Sequence, residues 1–391
     1  MSSARPLISA VIPSYNHSAS LGHAIESILK QERCGDQFEI EVIVVDDAST
    51  DATGEVVSRY SQVRYLRHPC RGGVAAAMNT GIRASNGQYV SILGADDTWL
   101  PHKLRVQVPL IEAHPEVGVV YSQAIRRRGN VEELFPVPSR APSGWVLDAM
   151  LTYSFAGHYS ALLVRREAFE VAGYFDETLI SYEDYDMSLR LAFRFQFLFE
   201  PGPVTIYNLS TNGLWLSRAA SGGASRDYGR AIEKALQMLA GSDRYAKFAE
   251  QAPIRIALQA MAPFVVAGDL SRGWTALLAA LREHPNCGRL QWARSYISWI
   301  VRKRLAEAES PVKEARKMCA SIKNISANLG DRERDDLRSI MADIWMNVLK
   351  FDAARSRISA IGSASAAMQV LSYSPIERRT IARVGRMLLK R

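Results

Sequence analysis

Cysteine is scarce in this chain, with four in 391 residues, at positions 34, 70, 287 and 319. No two are spaced as a C-x-x-C redox or metal pair, and a chain of this length does not need disulfides to hold a core, so reduced thiols in a cytoplasmic protein are expected. Long apolar runs are missing too. Leu7–Ile12 stops at Pro13, and Ala257–Gly268 falls short of the roughly 20 residues needed to span a bilayer, so no integral membrane segment is expected. No G-x-G-x-x-G follows the first apolar run and no glycine-rich loop ends in Gly-Lys-Ser/Thr, which excludes the dinucleotide fingerprint and the Walker A loop. Zinc-finger, RNP-like and helix-turn-helix signatures are also absent, so nucleic acid is not an expected partner.

What is present is an ordinary globular composition, 48% hydrophobic and 23% charged. The net charge of +8 is unevenly spread. Residues 1–229 carry 20 Lys/Arg against 25 Asp/Glu, whereas residues 230–391 carry 28 against 15. The back part is therefore strongly basic and reads as almost wholly helical. Its segments 295–305 and 375–391 mix apolar residues with Arg and Lys. Two readings stand for them: helices packed on their apolar stripe with solvated charges, or peripheral attachment to an anionic membrane surface. Stretches 267–285 and 351–365 resemble each other faintly, as stacked helical hairpins would.

The first hundred residues alternate between apolar runs and amphipathic stretches. LISAVIP, IEVIVVDD, VRYLRH and QYVSILGADD read as strands, with helices between them. Leu21, Ile25, Ile28 and Leu29 mark one helical face; Ser49, Thr50 and Asp51 are candidate caps for the next helix; Val74, Met78 and Ile82 mark a third. Near-continuous apolar strands alternating with helices predict an α/β fold, a mostly parallel sheet covered on both faces. From Trp99 to Asn208 the pattern is mixed. A helix enters through Pro101 and is expected to end or kink at Pro109, and YEDYDMSLRLAFR predicts a further helix.

Such sheets hold ligands beyond the carboxyl ends of their strands. Those ends carry Pro13-Ser14-Tyr15-Asn16, Asp46-Asp47 and Asp96-Asp97. Two acid pairs on one edge repel unless a cation neutralises them, and an all-oxygen setting favours Mg²⁺ or Mn²⁺ over zinc. Arg71-Gly72-Gly73 precedes a helix, where backbone N–H groups suit an anion such as a diphosphate. A third acidic cluster, Glu183-Asp184-Tyr185-Asp186, opens a helix. Asp186 has Arg190 as an i+4 partner, which leaves Glu183 and Asp184 for other work, such as a general base.

These motifs, in this order and spacing, resemble family 2 glycosyltransferases of the GT-A fold over residues 6–220. The resemblance implies a GT-A domain, Rossmann-like, followed by an all-helical region. It implies inverting, metal-dependent transfer of a single sugar from a nucleotide-diphosphate sugar, most often UDP-linked, to a hydroxyl. It further implies that Tyr15 and Pro13 line the base pocket, that Asp47 contacts the uracil edge, and that Asp96 contacts the donor ribose. Asp97 resembles the metal ligand bridging to the diphosphate, Arg71 and Gly72 join the donor site, Asp184 resembles the catalytic base, and Glu183 helps place the acceptor. Met78 stands before Asn79 where many relatives have Arg, and Arg218 stands in a loop where relatives often have His. The Q-x-x-R-W motif of processive synthases is missing.

On this resemblance residues 1–225 form the glycosyltransferase domain, with 1–100 for the nucleotide sugar and 101–225 for the acceptor, and residues 226–391 form the basic helical domain. The expected context is surface polysaccharide biosynthesis, with a glycan or lipid-linked glycan as acceptor. The alternatives are a non-catalytic nucleotide- or glycan-binding protein on the same fold, and a phosphoacceptor signalling domain, which leaves the second acid pair and YEDYD unexplained.

Overall fold

The computed structural model describes residues 5–128, 131–135, 141–152, 158–208, 223–283 and, with gaps, 297–347. Arg218, residues 351–365 and residues 375–391 lie outside the described residues, and segment 295–305 is described only in part. The chain divides into two compact units: Met1–Leu214 with Gly229–Tyr245, and Trp215–Tyr228 with Ala246–Arg391. The expected domain boundary at 225–226 lies inside a helix, Gly223–Leu239.

The first unit opens with β1 (Leu7–Ser14), α1 (Leu21–Leu29), β2 (Glu39–Asp46), α2 (Thr53–Val57), β3 (Val63–Arg67), α3 (Val74–Arg83) and β4 (Tyr89–Ile92). β1 pairs in parallel with β2 and β4, and β2 in parallel with β3. Both faces are covered, as the unbroken apolar strands require. Ile8, Ala10 and Ile12 of β1 pack in one core with Leu21, Ala24, Ile25 and Ile28 of α1. The alternate residue Val11 meets α3 at Gly81 on the opposite face. Leu29 departs from the expected α1 stripe: it is exposed, while Leu21, Ile25 and Ile28 are buried. α2 starts later than its candidate caps suggest. Asp51 accepts from the N–H and hydroxyl of Thr53, whereas Ser49 and Thr50 serve the preceding turn.

The parallel expectation ends at β4. The later strands are β5 (Thr98–Trp99), β6 (Val117–Arg128), β7 (Val131–Phe135), β8 (Leu162–Arg165) and β9 (Gln196–Asn208). β8 runs antiparallel to β4 and β6, β9 runs parallel to β6, and β5 and β7 pair antiparallel at the margins. The described strands thus form one mixed sheet in the order β3-β2-β1-β4-β8-β6-β9-β5, with β7 on β6. Its helices are α4 (Lys103–Ala113), α5 (Leu147–Thr152), α6 (Arg166–Ala172), α7 (Glu183–Arg194) and α8 (Gly223–Leu239). α4 continues through Pro109 to Ala113, so that proline does not end it. Its buried side chains Leu104, Val108 and Ile111 join the sheet core, and tertiary packing outweighs the lost N–H.

The second unit is helical where described. α9 (Asp243–Ala267), α10 (Leu270–Glu283) and α11 (Pro311–Ile325) share a core that includes Leu258, Met261, Val265, Trp274, Leu277, Met318 and Ile322. No described helix is long and apolar enough to cross a membrane.

Candidate active site

Parallel strands deliver their polar termini to one edge, and the first two acids there are spent on the protein itself. Asp46 is fully buried, accepting from the N–H of Ser49 at 2.8 Å and from the Tyr65 hydroxyl. Burial, and then that bond to a carboxylate, push the Tyr65 hydroxyl up to about 12. Asp47 accepts from the N–H groups of Gly72 and Gly73, both at 2.7 Å, and its Oδ1 lies 2.8 Å from His68 Nδ1. The loop before α3 is therefore fastened to the end of β2. Gly73 has φ +94°, a backbone region where a side chain is strained, so glycine suits that turn. The Gly72 N–H, expected to face an anion, donates to Asp47. Arg71 places its guanidinium 4.1 Å from the centre of the Tyr15 ring, so two residues expected in the donor site meet each other. Pro13 lies in β1 opposite Val45.

Asp96 and Asp97 follow β4 in a tight turn closed by Asp97 N–H to Gly94 O at 2.9 Å. A Cβ on Gly94 would lie 2.7 Å from Asp97 Oδ2 and 3.2 Å from Asp96 Oδ1, so glycine lets both carboxylates lie close above it. Asp97 is buried. Its Oδ2 accepts from Ser160 Oγ at 2.6 Å, its Oδ1 accepts from Asn208 N–H at 3.1 Å, and His158 Nδ1 stands 3.2 Å away. Burial, and then the neighbouring charge of Asp96, hold the Asp97 carboxyl well above the usual carboxylate range. Burial, and then the charge of Arg126, lower His158 to about 3, so it is neutral near pH 7. Asp96 is half-buried, and its side chain is the more open of the pair.

The partners of Asp97 come from far along the chain and are themselves held. The turn Tyr159–Ala161 presents Ser160, and three side chains grip its carbonyls and the next. Trp99 Nε1 donates to Ser160 O, Gln107 Nε2 to Ala161 O and Lys103 Nζ to Leu162 O, at 2.9–3.1 Å. Lys103 is fully buried, which depresses its amine, and its Nζ also donates to Gln107 Oε1 at 2.6 Å. On the other side Asn208, at the end of β9, donates its Nδ2 to Asp96 O at 2.6 Å.

Asp184 sits in the first turn of α7 after Tyr182, which takes the left-handed backbone at φ 62°. Its Oδ1 accepts from the N–H of Tyr185 at 2.7 Å. The carboxyl borders a small pocket lined otherwise mostly by apolar side chains, among them Ile92, Leu162, Phe175 and Met187, and burial raises it above the usual range. The charge of Arg126 on β6 acts the opposite way. Asp186 takes the expected structural part: Arg190 donates to its Oδ2 at 2.8 and 2.9 Å, and Lys234 of α8 to its Oδ1 at 2.6 Å.

His158, beside Asp97, packs with Tyr159, which lines the Asp184 pocket, and with Tyr207: its ring centre lies 3.9 Å from that of Tyr159 and 4.0 Å from that of Tyr207. Tyr207 is raised first by burial, then by the charges of Asp97 and Asp184. Tyr159 is raised by burial, then by Asp97, Glu183 and Asp96. Asp96 and Asp97 thus act on both hydroxyls, Glu183 on that of Tyr159 and Asp184 on that of Tyr207. Sequence reading placed these acids but missed His158, Ser160, Asn208 and Arg126. The legible clue was polar Lys103 and Gln107 at i and i+4 on the core face of α4. Among the described residues no set of three or more His, Cys, Asp or Glu side chains is gathered for a metal ion.

Known proteins resemble this chain in sequence and in fold. The model of glycosyl transferase family 2 covers residues 9–169. The chain is 32% identical over 208 residues to the amylovoran biosynthesis glycosyltransferase AmsB of Erwinia amylovora, covering 49% of this chain and 67% of that protein. It belongs to glycosyltransferase family 2. An uncharacterised glycosyltransferase of Haemophilus influenzae is 28% identical over 185 residues, covering 47% of this chain and 62% of that protein. The family 2 chain thus spans about two thirds of the length of these two relatives. In fold it resembles S. aureus TarS 1-349 in complex with UDP-GlcNAc, with a TM-score of 0.53, 16% identity, and coverage of 85% of this chain and 90% of that one.

Proposed function

We propose that this chain is an inverting glycosyltransferase. It moves a single sugar from a nucleotide-diphosphate sugar, most readily a UDP-sugar, to a hydroxyl of a glycan or lipid-linked glycan acceptor in surface polysaccharide biosynthesis. The observation that carries this reading is that one turn, Tyr159–Ala161, meets both acid groups: Ser160 donates to Asp97, and Tyr159 lines the same pocket as Asp184. Transfer with inversion needs one carboxylate to take the proton of the attacking hydroxyl, and stabilisation of the departing diphosphate on the opposite side. Asp184 suits the first of these roles. Its pocket raises its proton affinity, while the Tyr185 N–H first, and Arg126 to a lesser degree, favour the ionised form. Glu183, beside it, helps place the acceptor.

For the donor, Tyr15, Pro13 and Arg71 are proposed to form the nucleotide side of the cleft, with Asp47 and Gly72 holding in place the loop that carries Arg71. Asp96 and Asp97 repel each other above Gly94 and fit a divalent cation, Mn²⁺ or Mg²⁺. Asp97 would serve as a ligand backed by Ser160 and Asn208, with the more open Asp96 beside it toward the ribose. When bound, such an ion supplies positive charge to the diphosphate leaving group. The UDP-sugar preference is supported by the ligand of the TarS complex, and the glycan context by the name of AmsB.

The deciding experiment is Asp184→Asn. UDP affinity measured by calorimetry with Mn²⁺ is expected to stay within about threefold, because the amide keeps the shape. UDP release across a panel of nucleotide sugars and glycan acceptors is expected to fall by about 10²–10⁴-fold, as removal of a general base implies. Unchanged turnover would remove Asp184 from the base role. UDP binding with no turnover by the wild type on any acceptor would favour a non-catalytic nucleotide-binding protein.

A further inference from the structure

Asn79 is buried in α3, at 1% exposure, yet none of its side-chain bonds is made to the donor edge or to the acids there. It reaches the segment that leads to Asp184. Its Oδ1 accepts from the N–H of Phe175 at 2.8 Å, and its Nδ2 donates to Phe175 O at 2.9 Å and to Glu177 Oε1 at 2.8 Å. The side-chain amide thus pairs with one backbone residue in both directions, as a neighbouring strand would. The direction of these bonds fixes which end of the amide is oxygen.

The segment in question, residues 173–182, joins α6 to α7 and contains no strand. It begins and ends in left-handed backbone, at Gly173 (φ 82°) and Tyr182 (φ 62°). Several other bonds tie it to the elements that carry Asp184. Arg190 of α7 donates to the carbonyls of Ala172 and Gly173 at 2.7 and 3.0 Å. Lys234 of α8 reaches both Asp176 and Asp186, and Arg230 donates to Thr178. Those contacts make the segment a unit with α7 and α8, and α3 meets it from the nucleotide side. Arg83 lies 4.4 Å from the centre of the Tyr174 ring, and the hydrogen bonds come from Asn79, six residues after Gly73, where the α3 entry is fastened to Asp47.

We propose that Asn79 is a positioning residue for the reaction: it sets the base-bearing segment, and through it Asp184, at a fixed place relative to the donor-binding half. Asparagine suits this position because it offers an acceptor and a two-proton donor on one short stem. Aspartate keeps the acceptor, loses both donated bonds and sets a second carboxylate against Glu177. The inference rests on the proposed transferase reading for its kinetic consequence, but not for the clasp itself.

The experiment uses the full chain with Asn79→Asp, Glu177→Gln and the double variant. Backbone hydrogen exchange of peptides covering 173–186 is followed beside calorimetric UDP affinity with Mn²⁺ and UDP release from UDP-GlcNAc. Loss of buried donated bonds predicts that Asn79→Asp speeds exchange in 173–186 by about tenfold and lowers UDP release by about tenfold, with UDP affinity within about twofold. Adding Glu177→Gln removes the like-charge contact and is expected to recover at least about threefold in both. Glu177 is exposed, so Glu177→Gln alone tests the clasp in a variant whose core is untouched; exchange in 173–186 is expected to rise about twofold. Exchange unchanged in both single variants, or UDP affinity falling in step with UDP release, would overturn the positioning role. A wild type that binds no UDP would overturn the donor reading instead, and the exchange comparison would then decide the clasp.

Discussion

Asp96 and Asp97 are adjacent in the chain, but their surroundings differ. Asp97 is buried with an acceptor bond on each oxygen, whereas Asp96 is only half-buried and shares in the repulsion that raises Asp97. Removing them should therefore have separable effects. Asp97→Ala leaves the Ser160 hydroxyl and the Asn208 N–H without their acceptor and is expected to cost about 1–3 kcal/mol in urea unfolding, along with the Mn²⁺-dependent part of UDP affinity. Asp96→Ala is expected to weaken the same Mn²⁺-dependent affinity while leaving stability within about 0.5 kcal/mol, as at a half-exposed site. If Asp97→Ala binds UDP equally with and without Mn²⁺, at wild-type strength, its role as a metal ligand is lost. Both residues were visible in the sequence as a carboxylate pair at a strand end. Their division of labour was not, because Ser160 and Asn208 arrive from 63 and 111 positions away.

Among the elements, α3 is the one on which most of the site depends. Its entry loop is fastened to Asp47, its middle carries Asn79, and its third turn packs on β1 through Gly81. A Cβ on Gly81 would lie 2.2 Å from Val11 Cγ1. Alanine favours a helix over glycine by about 1 kcal/mol, but overpacking costs about 1–3 kcal/mol, and a 2.2 Å approach from a β-branched neighbour puts this site towards the larger figure. Gly81→Ala is expected to lower the urea midpoint, with Val11→Ala in the same chain restoring part of it. A Gly81→Ala variant as stable as the wild type would mean that α3 shifts freely on the sheet. Periodicity made α3 legible through Met78 and Ile82. The close approach at Gly81 was not legible, since a glycine in a helical pattern carries no sign of the strand beneath it.

For the whole molecule, the two compact units have separate cores, one built on the mixed sheet and one on helices. Separate cores unfold as separate cooperative blocks unless a large interface couples them. Calorimetric melting is expected to give two transitions. UDP with Mn²⁺ should raise only the one belonging to the sheet unit, because a ligand stabilises the unit that binds it. A single transition that moves as a whole with UDP would contradict this.

The sequence by itself determined the order of strands and helices in the first hundred residues, because burial on both faces writes a continuous apolar run and helical burial writes a 3.6-residue period. It also determined that acids cluster at the strand ends, since strand polarity follows directly from chain direction. The tertiary structure decided the mixed pairing of β5 to β9, because antiparallel and parallel neighbours impose similar apolar patterns on a strand. It decided which carboxylates are taken up by donors of the protein, as Asp46 and Asp47 are, and which stay more open, as Asp96 does, since those donors meet each one only after folding. It decided, too, that Asn79 is bound to the segment before Asp184: a hydrogen bond across 96 positions leaves no periodicity for a reader of the chain to find.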